Sequence, residues 1–267
     1  MKPLITHLTW HLGDNMLFLH WLRRVAKANP DRQFIHYHDQ EFTLPLREMV
    51  TDVPNIKLQE YFGPFMPRNS EDVWINSGGF FDRYPYRNDF VRFYLDWYEA
   101  LAKRLRVENS IKTRENMLFD YPAIQRHDRF KPFDVLIINA RPGSGQFASY
   151  NETRLIIMAE RMADRGLKVW ITSPLPPHAK NPNLRTTKPN TGWLSCAEIG
   201  ALSLKCPTIV MVSTGPTWPT FNIWNTESVK NRIILLDNQR VWLQPNGTRH
   251  FRSVPDSEIY LHKIGLL

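Results

Sequence analysis

Leu8 to Asn29, LTWHLGDNMLFLHWLRRVAKAN, decides the fold class of this chain. A short apolar segment leads to His11-Leu12-Gly13-Asp14-Asn15, and a run with helical apolar spacing follows at once. The order predicted is strand, tight glycine turn, helix. Gly13 can take backbone angles closed to other residues, and Asp14 or Asn15 can cap the helix, leaving free N–H groups at its N-terminus. Within the run, Leu17, Trp21, Val25 and Ala28 recur at steps of four, four and three, while Arg23, Arg24 and Lys27 fill the other side. The reading is one core-facing stripe, one basic face, and a carboxylate at the mouth of an α/β unit.

Downstream, Gln33 to His38 alternates as a strand does, with Phe34, His36 and His38 on one side and Ile35 and Tyr37 on the other. The two histidines fit a metal site by type, but with no third ligand in view the reading favours a structural pair. Gln40 to Thr51 reads as a helix interrupted near Pro45, Ile56 to Tyr61 as a strand, and Asp72 to Asn76 as another strand ending in Ser77-Gly78-Gly79. Strand and helix alternate, so the sheet is expected to be parallel. The stretch FFDRYPYR, Phe80 to Arg87, lies at a strand end, where open α/β sheets bind ligands. A long helix from Asn88 to Val107 follows, its Phe90, Tyr94, Trp97 and Leu101 spaced as a core face.

A polar, basic segment, Ala123 to Pro132, reads as a linker between a first domain over residues 1–125 and a second over 133–267. Phe133 to Ala140, FDVLIINA, has the continuous apolar signature of a strand buried on both faces. The loop Arg141-Pro142-Gly143-Ser144-Gly145-Gln146 then precedes a helix over Tyr150 to Arg165, ended by Gly166, and a strand over Leu167 to Thr172. Leu194 to Leu202 reads as a helix and Pro207 to Val212 as a buried strand. Ser213-Thr214-Gly215-Pro216-Thr217 then turns into a short apolar helix. Both loops follow predicted parallel strands and offer N–H groups without carboxylates, as a phosphate site requires. Arg141 adds a fixed positive charge suited to a diphosphate. The first loop is not a complete Gly-x-Gly-x-x-Gly fingerprint, because Ala148 holds the last position, and no Gly-Lys-Ser/Thr makes it a P-loop. The last stretch, Asn238 to Leu267, is weakly patterned.

Composition narrows the partners. At 267 residues, with 42% hydrophobic and 22% charged residues, the chain has the make-up of a globular protein of one large or two small domains. No run approaches the roughly 20 apolar residues of a membrane span, and the N-terminus lacks a signal-peptide pattern. The reading is cytoplasmic. Cys196 and Cys206 make no metal or disulfide pattern. A net charge of +8 and a pI near 9.5 favour anionic partners: nucleotide phosphates, nucleic acid, or an acidic membrane face.

The strand into Gly13-Asp14-Asn15, the apolar helix with its basic patch, and Asn29-Pro30 before the next strand resemble the N-terminus of the ADP-heptose:lipopolysaccharide heptosyltransferase family. Ile137 to Gly145, Val169 to Pro174, and Leu194 to Thr217 are similar in order and spacing to that family's C-terminal half. The resemblance covers patches from Leu8 to about Trp224. It implies an α/β fold of two Rossmann-like domains facing a cleft, the GT-B type. It further implies that Asp14 is the catalytic base and that donor contacts come from Arg141, Gly143, Ser144, Gly145, Gln146, Thr172, Ser173, Ser213, Thr214, Gly215, Pro216 and Thr217. His11, Arg83, Tyr84 and Arg87 would then face the acceptor. The chain departs from the family pattern at Ser213, where the family has an acid, at Trp218, where it has a histidine, and in lacking the Lys-x-Trp after the first C-terminal turn. Donor sugar and base are therefore left open.

No Asp-x-Asp clamp occurs, so the activity implied is an inverting, metal-independent glycosyl transfer from a nucleotide sugar, with no cofactor. The acceptor is read as an anionic or lipid-linked glycan at the inner membrane face. Two other readings remain open: a transferase acting on modified bases in DNA, which the basic charge would suit, and a nucleotide- or glycan-binding protein in which Asp14 is only a cap. The oligomeric state is not legible.

Overall fold

Four parallel strands make the first sheet, and their order sets where a ligand can sit. In the computed structural model the described residues are 2–9, 11–61, 73–74, 89–126, 129–143, 147–188, 193–237 and 248–267. They fall into two compact units, one within Met1–Ala123 and one within Ile124–Gln239 and Gln244–Leu267. In the first unit β1 (Leu4–His7), β2 (Phe34–Asp39), β3 (Ile56–Tyr61) and β4 (Val73–Trp74) lie in the order β3-β2-β1-β4. The order reverses between β1 and β4. In open parallel sheets that reversal, at the carboxyl ends of the strands, is where ligands bind.

The first helix, α1 (Leu12–Ala28), starts earlier than its glycine suggested. His11 is the N-cap, with no side-chain cap bond, so Gly13 and Asp14 lie inside the first turn and neither Asp14 nor Asn15 caps. β1 ends at His7, and the connection is residues 8–11 rather than a tight turn at Gly13, whose φ is not positive. The stripe is also wider than predicted. Leu17, Trp21 and Val25 are fully buried, but so is Arg23, while Ala28 is exposed. Arg23 is taken inward because carboxylates meet it there. Its guanidinium binds both Asp52 oxygens at 2.9 and 2.8 Å and Asp120 at 2.7 Å. Arg24 joins Asp120 at 3.0 Å and Lys27 joins Asp52 at 2.7 Å, tying the helix to two loops. Its C-terminal carbonyls are collected by Asn55, whose amide nitrogen lies 3.0 Å from each of Ala26 O, Asn29 O and Arg32 O.

β2 alternates as its spacing predicts, with Phe34, His36 and His38 buried. Pro45 does not interrupt a helix. It sits in the first turn of α2 (Thr43–Met49), where its missing N–H has no intrahelical partner to lose. α3 (Phe90–Leu105) is capped by Asp89, which accepts from the Arg92 N–H at 3.0 Å, and buries Tyr94, Trp97, Tyr98 and Leu101.

The second unit holds six parallel strands in the order β10-β9-β8-β5-β6-β7, reversing between β5 and β8. They are β5 (Val135–Ile138), β6 (Val169–Ile171), β7 (Leu184–Thr186), β8 (Thr208–Val212), β9 (Asn231–Leu235) and β10 (Thr248–Phe251). β5 and β8 are buried at every position, as a central strand covered on both faces must be. One face packs on α4 (Glu152–Asp164) through Leu155, Met158 and Met162, and on α6 (Val254–Lys263) through Val254 and Leu261. The short α5 (Cys196–Leu202) carries a capping box, Ser195 accepting from Glu198 N and Glu198 from Ser195 N. The segment read as a linker begins in a buried turn: Pro122–Ile124 is 3-10 helical and Ile124 has no exposed surface. The weakly patterned C-terminus supplies a strand and a helix, β10 and α6, whose apolar positions are too few to show a period. Among the described residues no helix is long and apolar enough to cross a membrane.

Candidate active site

Asp14 is the third residue of α1, directly after β1 and so at the reversal of the first sheet. The tyrosine stripe of α3 reaches it. Tyr94 Oη donates to Asp14 Oδ1 at 2.8 Å, and one turn on, Tyr98 Oη donates to the Leu17 carbonyl at 2.9 Å. Burial and then the Asp14 charge raise the Tyr98 phenol well above its ordinary value, so it stays a neutral donor. Tyr94 packs edge-on to both Phe93 and Trp97, which fixes the ring that fixes the carboxylate.

Beneath this, a chain of hydrogen bonds runs from the sheet to the start of α1. Asn15 Nδ2 donates to the His11 carbonyl at 3.1 Å, which turns its Oδ1 toward His36 Nε2, 3.3 Å away. His36 Nδ1 lies 3.0 Å from Thr6 Oγ1. One tautomer satisfies the whole chain: Nε2–H donates to Asn15, and Nδ1 accepts from Thr6. Burial, with His38 and His7 adding to it, lowers the His36 pKa to about 3, so the ring is neutral and fixed. The sequence suggested a structural role for the strand pair His36 and His38; His36 is held between Thr6 and Asn15, and nothing in the sequence signalled that Asn15 links it to the helix.

In the second unit, the loops flanking the reversal are those after β5 and β8, which carry most of the donor contacts read from the sequence. Arg141 and Gly143 are exposed in the first. Ser144, Gly145 and Gln146 lie outside the described residues, as do Arg83, Tyr84 and Arg87 of the acceptor group. The loop after β5 is not free of carboxylates as predicted, because the Ala148 N–H is taken by Asp237 Oδ2. Asp237, just beyond β9, anchors the loop's far side.

Thr172 and Ser173 do not reach outward. Both are buried and committed to Asn139: Thr172 Oγ1 donates to its Oδ1 at 3.1 Å, Ser173 N–H donates to the same oxygen at 2.9 Å, and Asn139 Nδ2 donates to Ser173 Oγ at 2.7 Å. Tyr150 Oη closes the group by donating to the Asn139 carbonyl at 2.6 Å. Burial and then Glu152 push this phenol up to about 12, which keeps it a donor. Asn139 escaped the sequence reading. Its one signal was a polar residue ending the apolar run FDVLIINA, and it welds the ends of β5 and β6.

After β8, Thr214 caps the 3-10 helix Gly215–Thr220 without a side-chain cap bond. Thr217 is inward rather than ligand-facing, its Oγ1 donating to Val212 O at 2.6 Å and its N–H to Thr214 O at 3.0 Å. Pro216 has no N–H to offer. Ser213 is buried too, which leaves Thr214 and Gly215 as the partly exposed residues at the start of the turn. α5 supports it closely: a Cβ on Gly200 would fall 2.9 Å from Pro219 Cβ and 3.0 Å from its carbonyl oxygen. Among the described residues no group of three histidine, cysteine or acidic side chains could hold a metal ion.

No protein-family profile and no curated protein sequence matches the chain. Solved structures do. The E. coli heptosyltransferase WaaC with ADP-2-deoxy-2-fluoro heptose superposes with a TM-score of 0.60 at 12% identity, covering 99% of this chain and 100% of that one. The same enzyme with ADP gives 0.59 at 11%, over 98% and 97%. A family 9 glycosyl transferase from Veillonella parvula gives 0.53 at 14%, over 98% and 89%. The chain therefore shares the Rossmann-like α/β fold of these proteins.

Proposed function

We propose that this protein is a glycosyltransferase of the GT-B type, using a nucleotide-sugar donor and inverting the anomeric centre without a metal. The supporting observation is the likeness in fold, over the full length of both chains, to a heptosyltransferase bound to a nucleotide-sugar analogue, with a held carboxylate at the reversal of the first sheet. In this reading Asp14 takes the proton of an acceptor hydroxyl. The freed oxygen bonds to the anomeric carbon as that carbon's bond to the donor diphosphate breaks, and the nucleoside diphosphate leaves with the electron pair. Arg141, the Thr214 hydroxyl and the Gly215 N–H meet the charge that develops on it. His11 stands next to the acceptor, a glycan at a membrane surface.

The test is a panel of nucleoside diphosphates and their sugars. A donor at about a hundred times its Kd should stabilise the protein by about 2.7 kcal/mol, and the same sugar nucleotide should release its diphosphate on incubation with acceptor glycans. No stabilisation and no release across the panel would reject the reading.

A further inference from the structure

Trp193 is the only exposed aromatic side chain among the described residues, with 70% of its surface open. It lies in the second unit, after β7 and just before α5, and backbone hydrogen bonds fix where. The Leu194 N–H donates to the Thr187 carbonyl at 2.8 Å, the Thr187 N–H to Ile171 O at 2.9 Å, and the Thr172 N–H to Ile137 O at 3.0 Å. These three bonds carry the ladder past the ends of β7, β6 and β5, so the residue before Leu194 stands at the carboxyl edge of the second sheet. Open parallel sheets bind their ligands along that edge. β8, whose turn carries Thr214 and Gly215, is three strand spacings from β7, about 14 Å.

The indole is held on one side only. Lys188 Nζ lies 4.3 Å from the ring centroid, and the Lys188 N–H donates to Thr186 Oγ1 at 2.9 Å, which ties the lysine to the end of β7. A cation over an indole face is attracted by the ring quadrupole, so Lys188 orients the ring and leaves its other face to water. The hydroxyls nearby are already committed. Thr186 Oγ1 donates to the Ser173 carbonyl at 2.5 Å and Thr187 Oγ1 to the Thr172 carbonyl at 3.5 Å, while Thr172 and Ser173 are taken up by Asn139. What this end of the sheet offers a ligand is therefore a flat apolar face with a positive charge beside it, and a flat aromatic heterocycle attached to an anion is its complement.

We infer that Trp193 is the platform on which the base of the nucleotide donor stacks, with the ribose and diphosphate running along the carboxyl edge toward Arg141, Thr214 and Gly215. The inference rests on the glycosyltransferase reading for the identity of the ligand, and on the position and exposure of the ring for the contact. Stacking on an aromatic side chain is worth a tenfold to a hundredfold in affinity, on the order of 1–3 kcal/mol per base, and it takes any base, because every base has a π-face.

The test uses the full chain, titrated by calorimetry with ADP, GDP, UDP and CDP, and with pyrophosphate and ribose 5-phosphate, which carry no base. Whichever nucleoside diphosphate binds the parent most tightly should bind Trp193→Leu on the order of tenfold to a hundredfold more weakly, and Trp193→Phe, which keeps a smaller π-face, should lose less. Pyrophosphate and ribose 5-phosphate should not distinguish the variants from the parent. The ring is exposed, so neither variant should shift the urea midpoint. A loss shared by pyrophosphate or ribose 5-phosphate, or a Trp193→Phe protein no better than Trp193→Leu, would overturn the inference. So would a Trp193 fluorescence, taken as parent minus Trp193→Phe, that responds to phosphatidylglycerol vesicles and not to nucleotides, since the ring would then be a membrane anchor. Nucleotide binding that Trp193→Leu leaves untouched ends this inference and spares the donor reading, whereas a parent that binds none of the four nucleotides ends both.

Discussion

Asp14 has two candidate duties, and its neighbours separate them. As the third residue of α1 it is not the cap, so replacing it with Asn removes little from the helix beyond a favourable charge in the first turn, worth about 0.3–1 kcal/mol. A general base is different. Asp14→Asn should lower turnover by about a hundredfold to ten-thousandfold, while donor affinity and the urea midpoint barely move. Tyr94→Phe supplies the graded control, because it deletes only the hydroxyl that holds Oδ1. Steady-state kinetics should show kcat reduced about tenfold with the donor KM unchanged, the value of one hydrogen bond in the transition state. An Asp14→Asn protein with full turnover would return the residue to a purely structural part.

At the scale of elements, the anion turn depends on a contact between α5 and the 3-10 helix that follows β8. Gly200 gains about 1 kcal/mol of intrinsic helix preference on becoming Ala, yet its new Cβ would press on the Pro219 backbone and on Ile124 Cγ1, 3.2 Å away. Pro219 cannot yield without moving the helix that begins at Gly215. Gly200→Ala should therefore cost about 1–2 kcal/mol net in urea unfolding and weaken nucleotide binding, since Thr214 and Gly215 move with it. An unchanged midpoint with unchanged nucleotide affinity would show that the contact is slack. The sequence announced these elements well and their joints poorly. FDVLIINA and the run Pro207 to Val212 read as buried strands because Val135 to Ile138 and Ile209 to Val212 are unbroken apolar runs. Asn139, Asn15 and Arg23 were illegible as parts, because each acts through partners 21 to 97 residues away that no local period can reveal. The cap of α1 was misplaced for a related reason. Gly13 and Asp14 are turn formers by type, and here the helix starts before them.

Across the whole molecule the buried histidines make the two units unequal toward acid. In the first unit burial lowers His36 to about 3 and His20 to about 4, while in the second unit His250, less deeply buried, is also lowered by burial. These rings stay neutral when folded and take up protons when unfolded near pH 6.5. The unfolded chain thus binds more protons below that value, and stability falls as pH drops from about 6.5 toward 4. For His20 and His36 together the loss between pH 7 and pH 5 is on the order of 4 kcal/mol. Hydrogen exchange read by mass spectrometry at the two pH values should show the first unit losing protection well ahead of the second, and equal losses would contradict it. The paired Asp52 and Asp120 do not confuse this window, since their pKa values are also lowered and they titrate below it.

The two sheets repeat one strand order outward from their first strands, β1 and β5, and each closes its hydrogen-bond ladder with strands of its own unit. For an evolving lineage this is a division of labour written into the backbone. Substitutions at the strand ends of one sheet leave the ladder of the other untouched, so the two halves can drift at different rates and even be exchanged between relatives.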